Sequence, residues 1–245
     1  MREAERTTIV LVHGAWHGGW CWAQVADALR QREFDVVVVD LPGHEAPGHS
    51  KRIWERVGGY VRHVDTVVRS IEGRVVLVGH SMGGLIVQRV IETRPVHGAV
   101  LVASVPRRGV IVALARLARR DPMQVAQSIV SVSLWPMVEN DERARKHFFT
   151  EQTDADTVEA AGAKLQNESF LAFLSMLARH PRPKLARTEN VCVIGATRDG
   201  IFTRDEQHDL AAAYGTDLIE IDAGHDLMLE SSWPELVGHI AEFAG

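Results

Sequence analysis

Six short runs rich in valine and isoleucine, at residues 9–12, 36–39, 75–78, 99–103, 191–194 and 218–221, constrain this chain more than any other feature. Their apolarity is nearly continuous rather than alternating, so both faces of each strand must be covered, as in a parallel sheet between helices. Helical spacing fills the intervals at 22–31, 59–71, 82–93, 204–214 and 233–243. Strand and helix in turn predict an α/β fold, a doubly wound, mostly parallel sheet with right-handed crossovers. The alternation breaks once, over about 105–187, where 110–119, 123–132 and 156–177 show helical spacing and no strand-like run appears. That stretch is too long for a bare loop. It reads as a helical cap, bounded by Pro106 on one side and by Pro181 and Pro183 on the other. The expected organisation is a core of residues 1–104 and 187–245 with a cap, or lid, at 105–186.

Composition narrows what such a fold can do. The 245 residues carry a net charge of −5 with no long basic run. A nucleic-acid surface needs clustered Lys and Arg, so none is expected. The pairs Arg107–Arg108 and Arg119–Arg120 are read as solvated faces. Cys21 and Cys192 are the two cysteines and stand far apart, which fits neither a disulfide framework nor a zinc site and suggests a reducing compartment. No run of about 18 apolar residues occurs, and the first residues lack the pattern of a secretory signal. The expectation is a cytoplasmic protein with no membrane partner; the sequence leaves a homodimer open.

In an open α/β sheet, ligands bind beyond the carboxyl ends of the strands. Those ends read His13-Gly14-Ala15, Asp40-Leu41-Pro42-Gly43, Gly79-His80-Ser81-Met82-Gly83-Gly84, Ala103-Ser104-Val105-Pro106, Gly195-Ala196-Thr197-Arg198-Asp199 and Asp222-Ala223-Gly224-His225. Ser81 lies in a G-x-S-x-G element between a strand and a helix, the setting of a nucleophile on a strained turn. A serine hydroxyl needs a base held by a carboxylate. His225, late in the chain after the last strand, is the candidate base. Asp199 is the candidate acid, with Asp205 and Asp222 as weaker rivals. The backbone N–H groups of Ala15 and Met82 are the candidate oxyanion donors. His13, His17 and His80 fall near the same tips and are expected mainly to support them. His13 and His17 stand at i, i+4, but Gly14, Gly18 and Gly19 break the helix a metal pair would need, so no metal and no cofactor are expected.

The segment from Val12 to Trp22, with Gly79 to Gly84 and the late Gly224-His225-Asp226-Leu227-Met228-Leu229, resembles the α/β-hydrolase superfamily. The likeness is to its branch of plant methylesterases, hydroxynitrile lyases and related bacterial esterases. It implies cofactor-free cleavage of small carboxylic esters beneath a helical cap. The lyases of that branch carry threonine after the first-strand histidine and lysine after the catalytic histidine. Here those positions hold Gly14 and Asp226. An aspartate would repel departing cyanide, so an esterase is expected ahead of a lyase, with a ligand-sensing receptor as a third reading.

The cap should select the substrate. Its large apolar residues include Leu134, Trp135, Met137, Phe148, Phe149, Phe170, Phe173 and Met176. Of these Trp135, Phe148, Phe170 and Phe173, together with His17 and His80, are the candidates for the substrate pocket, and most of the rest are expected to be cap core. The absence of a charged residue assignable to the pocket points to a neutral, moderately hydrophobic ester of small to medium size.

Overall fold

The computed structural model describes residues 6–45, 54–178, 181–188 and 190–245. Part of the opening segment weighed above as a possible leader lies outside them. All six apolar runs are strands: β1 (Thr7–Val12), β2 (Asp35–Val39), β3 (Arg74–His80), β4 (Gly98–Val102), β5 (Val191–Ala196) and β6 (Leu218–Ile221). Every pairing is parallel, in the order β2-β1-β3-β4-β5-β6. The helices linking them are α1 (Ala23–Gln31), α2 (Val57–Arg69), α3 (Met82–Ile91), α9 (Arg204–Tyr214) and α10 (Trp233–Ala244).

The strand period of two divides each apolar run between two cores. Ile9, Leu11, Val76, Val78, Val100 and Val102 meet α1 and α10 through Val25, Leu29, Leu236 and Ile240. Val10, Val12, Leu77, Ala99 and Leu101 meet α2, α3 and α9 through Tyr60, Val64, Leu85, Ile86 and Leu210. The chain turns outward from β1 to β2 and then returns to place β3 on the other side of β1. The order therefore reverses between β1 and β3, the crevice where ligands bind in open sheets. The tips of those two strands carry His13-Gly14-Ala15 and His80-Ser81.

Among the described residues five α-helices lie between β4 and β5: α4 (Ile111–Arg120), α5 (Pro122–Ser131), α6 (Asp141–Phe148), α7 (Ala155–Gly162) and α8 (Phe170–Ala178). The helical reading of 156–177 is corrected here, because that stretch is two helices separated by a turn and an extended, buried segment. Leu165 to Ser169 are buried, and Gln166 and Glu168 bond to the core. The Gln166 amide donates to the Trp16 carbonyl at 2.9 Å, and its side chain donates to the carbonyls of His17 and His44. Glu168 accepts from the Tyr60 hydroxyl at 2.9 Å and lies 3.1 Å from His44 Nε2. Helix α6, which the apolar spacing did not reveal, starts where Asn140 accepts from the Arg143 amide; acidic residues follow in its first turn and basic ones in its last. Among the described residues no helix is long and apolar enough to cross a membrane.

Candidate active site

Ser81 sits between β3 and α3 with φ 52° and ψ −116°, a strained conformation for a residue with a side chain. The turn closes only because its neighbours lack Cβ atoms. A Cβ on Gly79 would lie 2.4 Å from the Gly83 carbonyl oxygen, and one on Gly83 2.4 Å from that of Val12. The Ser81 amide donates to the Val102 carbonyl at 3.0 Å, which ties the turn to the end of β4.

His225 follows β6 and is buried. Its Nδ1 lies 2.9 Å from Asp199 Oδ2. A carboxylate oxygen accepts, so Nδ1 carries the hydrogen and Nε2 is left with its lone pair. Nε2 has no hydrogen-bond partner among the described residues. Asp199 is held in turn, since its Oδ1 accepts from the amides of Ile201 at 2.7 Å and Phe202 at 3.0 Å. The rival carboxylates lie elsewhere. Asp222 is exposed and bonds Thr197 and Arg198, while Asp205 is exposed in the first turn of α9, whose cap is Thr203.

Ser81, Ala15 and Met82 border one cavity of about 250 Å³ beneath the inserted helices. Of the pocket candidates, Phe148 and Phe173 line it, as do Leu134, Met137 and Met176. The others do not border it. Phe170 packs beside Phe173, Trp135 against the cluster containing Val138, Phe149 and Val158, and His17 and His80 are buried behind the wall. The expectation of an uncharged pocket is also corrected, because Arg116, Arg120 and His147 border it. Arg116 donates to both oxygens of Glu206, at 3.0 and 2.7 Å, and Arg120 to Asp121 at 2.9 Å. Burial and then the charge of Arg120 push His147 down to about 4. Val110, Ala113, Leu114 and Leu117 of the α4 region complete this wall. Their i, i+3, i+4, i+7 spacing was the signal in the sequence.

Asp226 was expected to face a leaving group and does not. It is fully buried off the cavity, with Oδ2 2.9 Å from His17 Nε2 and Oδ1 3.6 Å from His80 Nε2. Gly14 is similarly constrained, since a Cβ there would lie 2.9 Å from His80 Nδ1 and 3.0 Å from Ser81 Cβ. His80, His225 and Asp226 bring three potential ligand atoms within 4.8 Å of one another. Each already spends a side-chain atom elsewhere: His80 Nε2 on the His225 carbonyl, His225 Nδ1 on Asp199 and Asp226 Oδ2 on His17. Their remaining atoms, His80 Nδ1, His225 Nε2 and Asp226 Oδ1, have no hydrogen-bond partner among the described residues.

The sequence profile of the alpha/beta hydrolase family matches residues 9–238. A carbendazim hydrolyzing esterase from Nocardioides sp. (strain SG-4G) is 39% identical over 82 residues, 32% of this chain and 33% of that protein. Methyl jasmonate esterase 1 of Vitis vinifera is 35% identical over 97 residues, 39% of this chain and 37% of that protein. The matches thus span about a third of the length of these curated relatives. The crystal structure of polyneuridine aldehyde esterase aligns with a TM-score of 0.73 at 22% identity, covering 97% of this chain and 98% of the other. At that identity the likeness is one of fold.

Proposed function

This chain belongs to the alpha/beta hydrolase family, and from that premise we propose that it is a cytoplasmic serine esterase cleaving neutral, moderately hydrophobic carboxylic esters through an acyl-enzyme. The observation that carries the reading is the 2.9 Å contact between His225 Nδ1 and Asp199, which leaves Nε2 as an open base in a site whose nucleophile candidate is Ser81. In the first step Ser81 Oγ attacks the ester carbonyl carbon while His225 Nε2 takes its proton. The carbonyl π-bond becomes an oxyanion that accepts from the amides of Ala15 and Met82. Collapse breaks the bond to the alkoxy oxygen, which leaves as the alcohol with the proton from His225. Water, deprotonated by the same nitrogen, then releases the acid and restores the Ser81 hydroxyl.

The cavity supports the substrate class. Its wall is mostly aliphatic and aromatic, which suits an uncharged ester, while Arg116 is paired with Glu206 and Arg120 shares Asp121 with Lys146. A fluorophosphonate probe should add one group at Ser81, read by intact mass and peptide mapping. Asp199→Asn should slow both labelling and turnover of short methyl and p-nitrophenyl esters, by roughly 10²- to 10⁴-fold. Labelling elsewhere, or full activity in Asp199→Asn, would discard these roles.

A further inference from the structure

We propose that Asp226 is a positioning residue for acyl transfer: its buried carboxylate holds His17 as an imidazolium and, with His80, locks three loops into register. These are the loop of Ala15, the strand end of Ser81 and the turn of His225. The inference rests on the esterase reading above.

The protonation state of His17 follows from its partners. Nε2 lies 2.9 Å from Asp226 Oδ2, and Nδ1 lies 2.8 Å from the Ala15 carbonyl oxygen. Both oxygens accept, so both ring nitrogens must carry hydrogen, and an imidazole with two N–H groups is a cation. Its other neighbours are the rings of Trp20, Phe148 and His80, with His44 adding a weaker repulsion. Burial opposes both charges, but their mutual attraction and hydrogen bond outweigh it, raising His17 and lowering Asp226. His80 is different: burial, then the neighbouring His225, push it down to about 3, and it stays neutral with Nε2 donating to the His225 carbonyl at 3.0 Å.

What this cluster fixes is the geometry on which acyl transfer depends. The peptide planes on both sides of Ala15 are pinned, the first by His13 Nδ1 donating to the Gly14 carbonyl at 2.8 Å and the second by His17 on the Ala15 carbonyl. In a trans peptide the N–H points opposite the C=O, so His13, on the Gly14 carbonyl, aims the Ala15 amide directly, and His17 fixes the peptide plane on the other side of the same residue. The His80 ring then meets the same loop at Gly14, next to Ser81, and ends on the His225 backbone. The Asp226 amide donates to the Phe148 carbonyl at 2.9 Å, which joins the cavity wall to the cluster. Neither Asp226 nor His17 borders the cavity, so they act through these groups and not on the substrate.

The test combines a spectroscopic and a kinetic readout. Ring ¹⁵N spectra of the wild type should show His17 with both nitrogens protonated at neutral pH, and Asp226→Asn should lose one of those protons. For a short methyl ester, Asp226→Asn should lower kcat roughly 10- to 100-fold with KM changed by less than about threefold, because misaimed donors are felt mainly in the transition state. His17→Gln, which is uncharged and carries its donors on one nitrogen rather than two, should give a loss of the same kind should Asp226→Asn fold poorly. A singly protonated His17 in the wild type, or wild-type kcat in both variants, would overturn the assignment. Failure of the esterase reading is distinct, appearing as no turnover and no Ser81 labelling in the wild type itself.

Discussion

The histidines around Ser81 differ in charge because they differ in partners. His13 Nδ1 donates to the Gly14 carbonyl while Nε2 accepts from the Leu41 amide at 3.0 Å, so it is neutral, and burial lowers it well below its ordinary value. His17 meets two acceptors and is charged. That contrast gives stability a pH window. His17 is raised above 6.5, so its stabilisation is complete below about 6.5 and is lost as pH rises through the raised value. Asp226 is lowered below 3.8, so its stabilisation is complete above about 4 and is lost as pH falls through the lowered value. The Tm difference between wild type and Asp226→Asn should therefore be largest between about pH 4 and 6.5 and narrow on both sides. Thermal unfolding across that range checks it, and a flat difference into alkaline pH would mean an uncharged His17. The placement of Ser81, His225 and Asp199 at the ends of strands was legible in the sequence, because the runs before them mark those strands. The His17–Asp226 pair was not, because 209 residues separate the partners and only folding brings them together.

The helices between β4 and β5 are joined to the core by a buried polar latch. Glu168 lies at zero side-chain exposure, accepting from Tyr60 and from the Ser169 amide at 2.6 Å and facing His44. Burial opposes the charge of His44, but Glu168 outweighs it and raises His44 above its ordinary value. Removing the carboxylate strands a buried hydroxyl and a buried imidazole. Glu168→Ala should cost about 3 to 5 kcal/mol in denaturant unfolding, whereas exposed Glu159→Ala in α7 should stay within about 0.5 kcal/mol. A small loss for Glu168→Ala would mean that the latch adds little. The latch also accounts for the division of the stretch 156–177. Gln166, Glu168 and Ser169 are polar residues that spacing alone places within a helix, yet their bonds run to Trp16, Tyr60 and the Glu55 carbonyl, partners far away in sequence. The core strands were legible to within a few residues because burial on both faces leaves an unbroken apolar run, and the inserted helices lack so plain a mark.

At the scale of the whole molecule, the reversal of strand order between β1 and β3 places Gly14, Ser81 and the buried Asp226 cluster at one crevice, and this decides how readily one chemistry could replace another. The lyases resembled in sequence carry threonine and lysine where this chain has Gly14 and Asp226. A threonine at Gly14 would meet the His80 ring and Ser81 Cβ at about van der Waals overlap, with Cβ contacts of 2.9 and 3.0 Å. A lysine at Asp226 would replace the anion beside a buried imidazolium with a second cation. The cations that do border the cavity, Arg116 and Arg120, are each held by a carboxylate rather than free to receive cyanide. Wild-type protein should accordingly release cyanide from mandelonitrile at near-background rates while hydrolysing esters. Gly14→Thr combined with Asp226→Lys should lose thermal stability and ester turnover without gaining lyase activity. Parallel assays for released cyanide and released acid on both proteins decide the matter. Efficient cyanide release by the wild type would overturn the esterase reading, and a stable double variant with new lyase activity would show that Asp226 can be turned toward the cavity and that its burial does not set the chemistry.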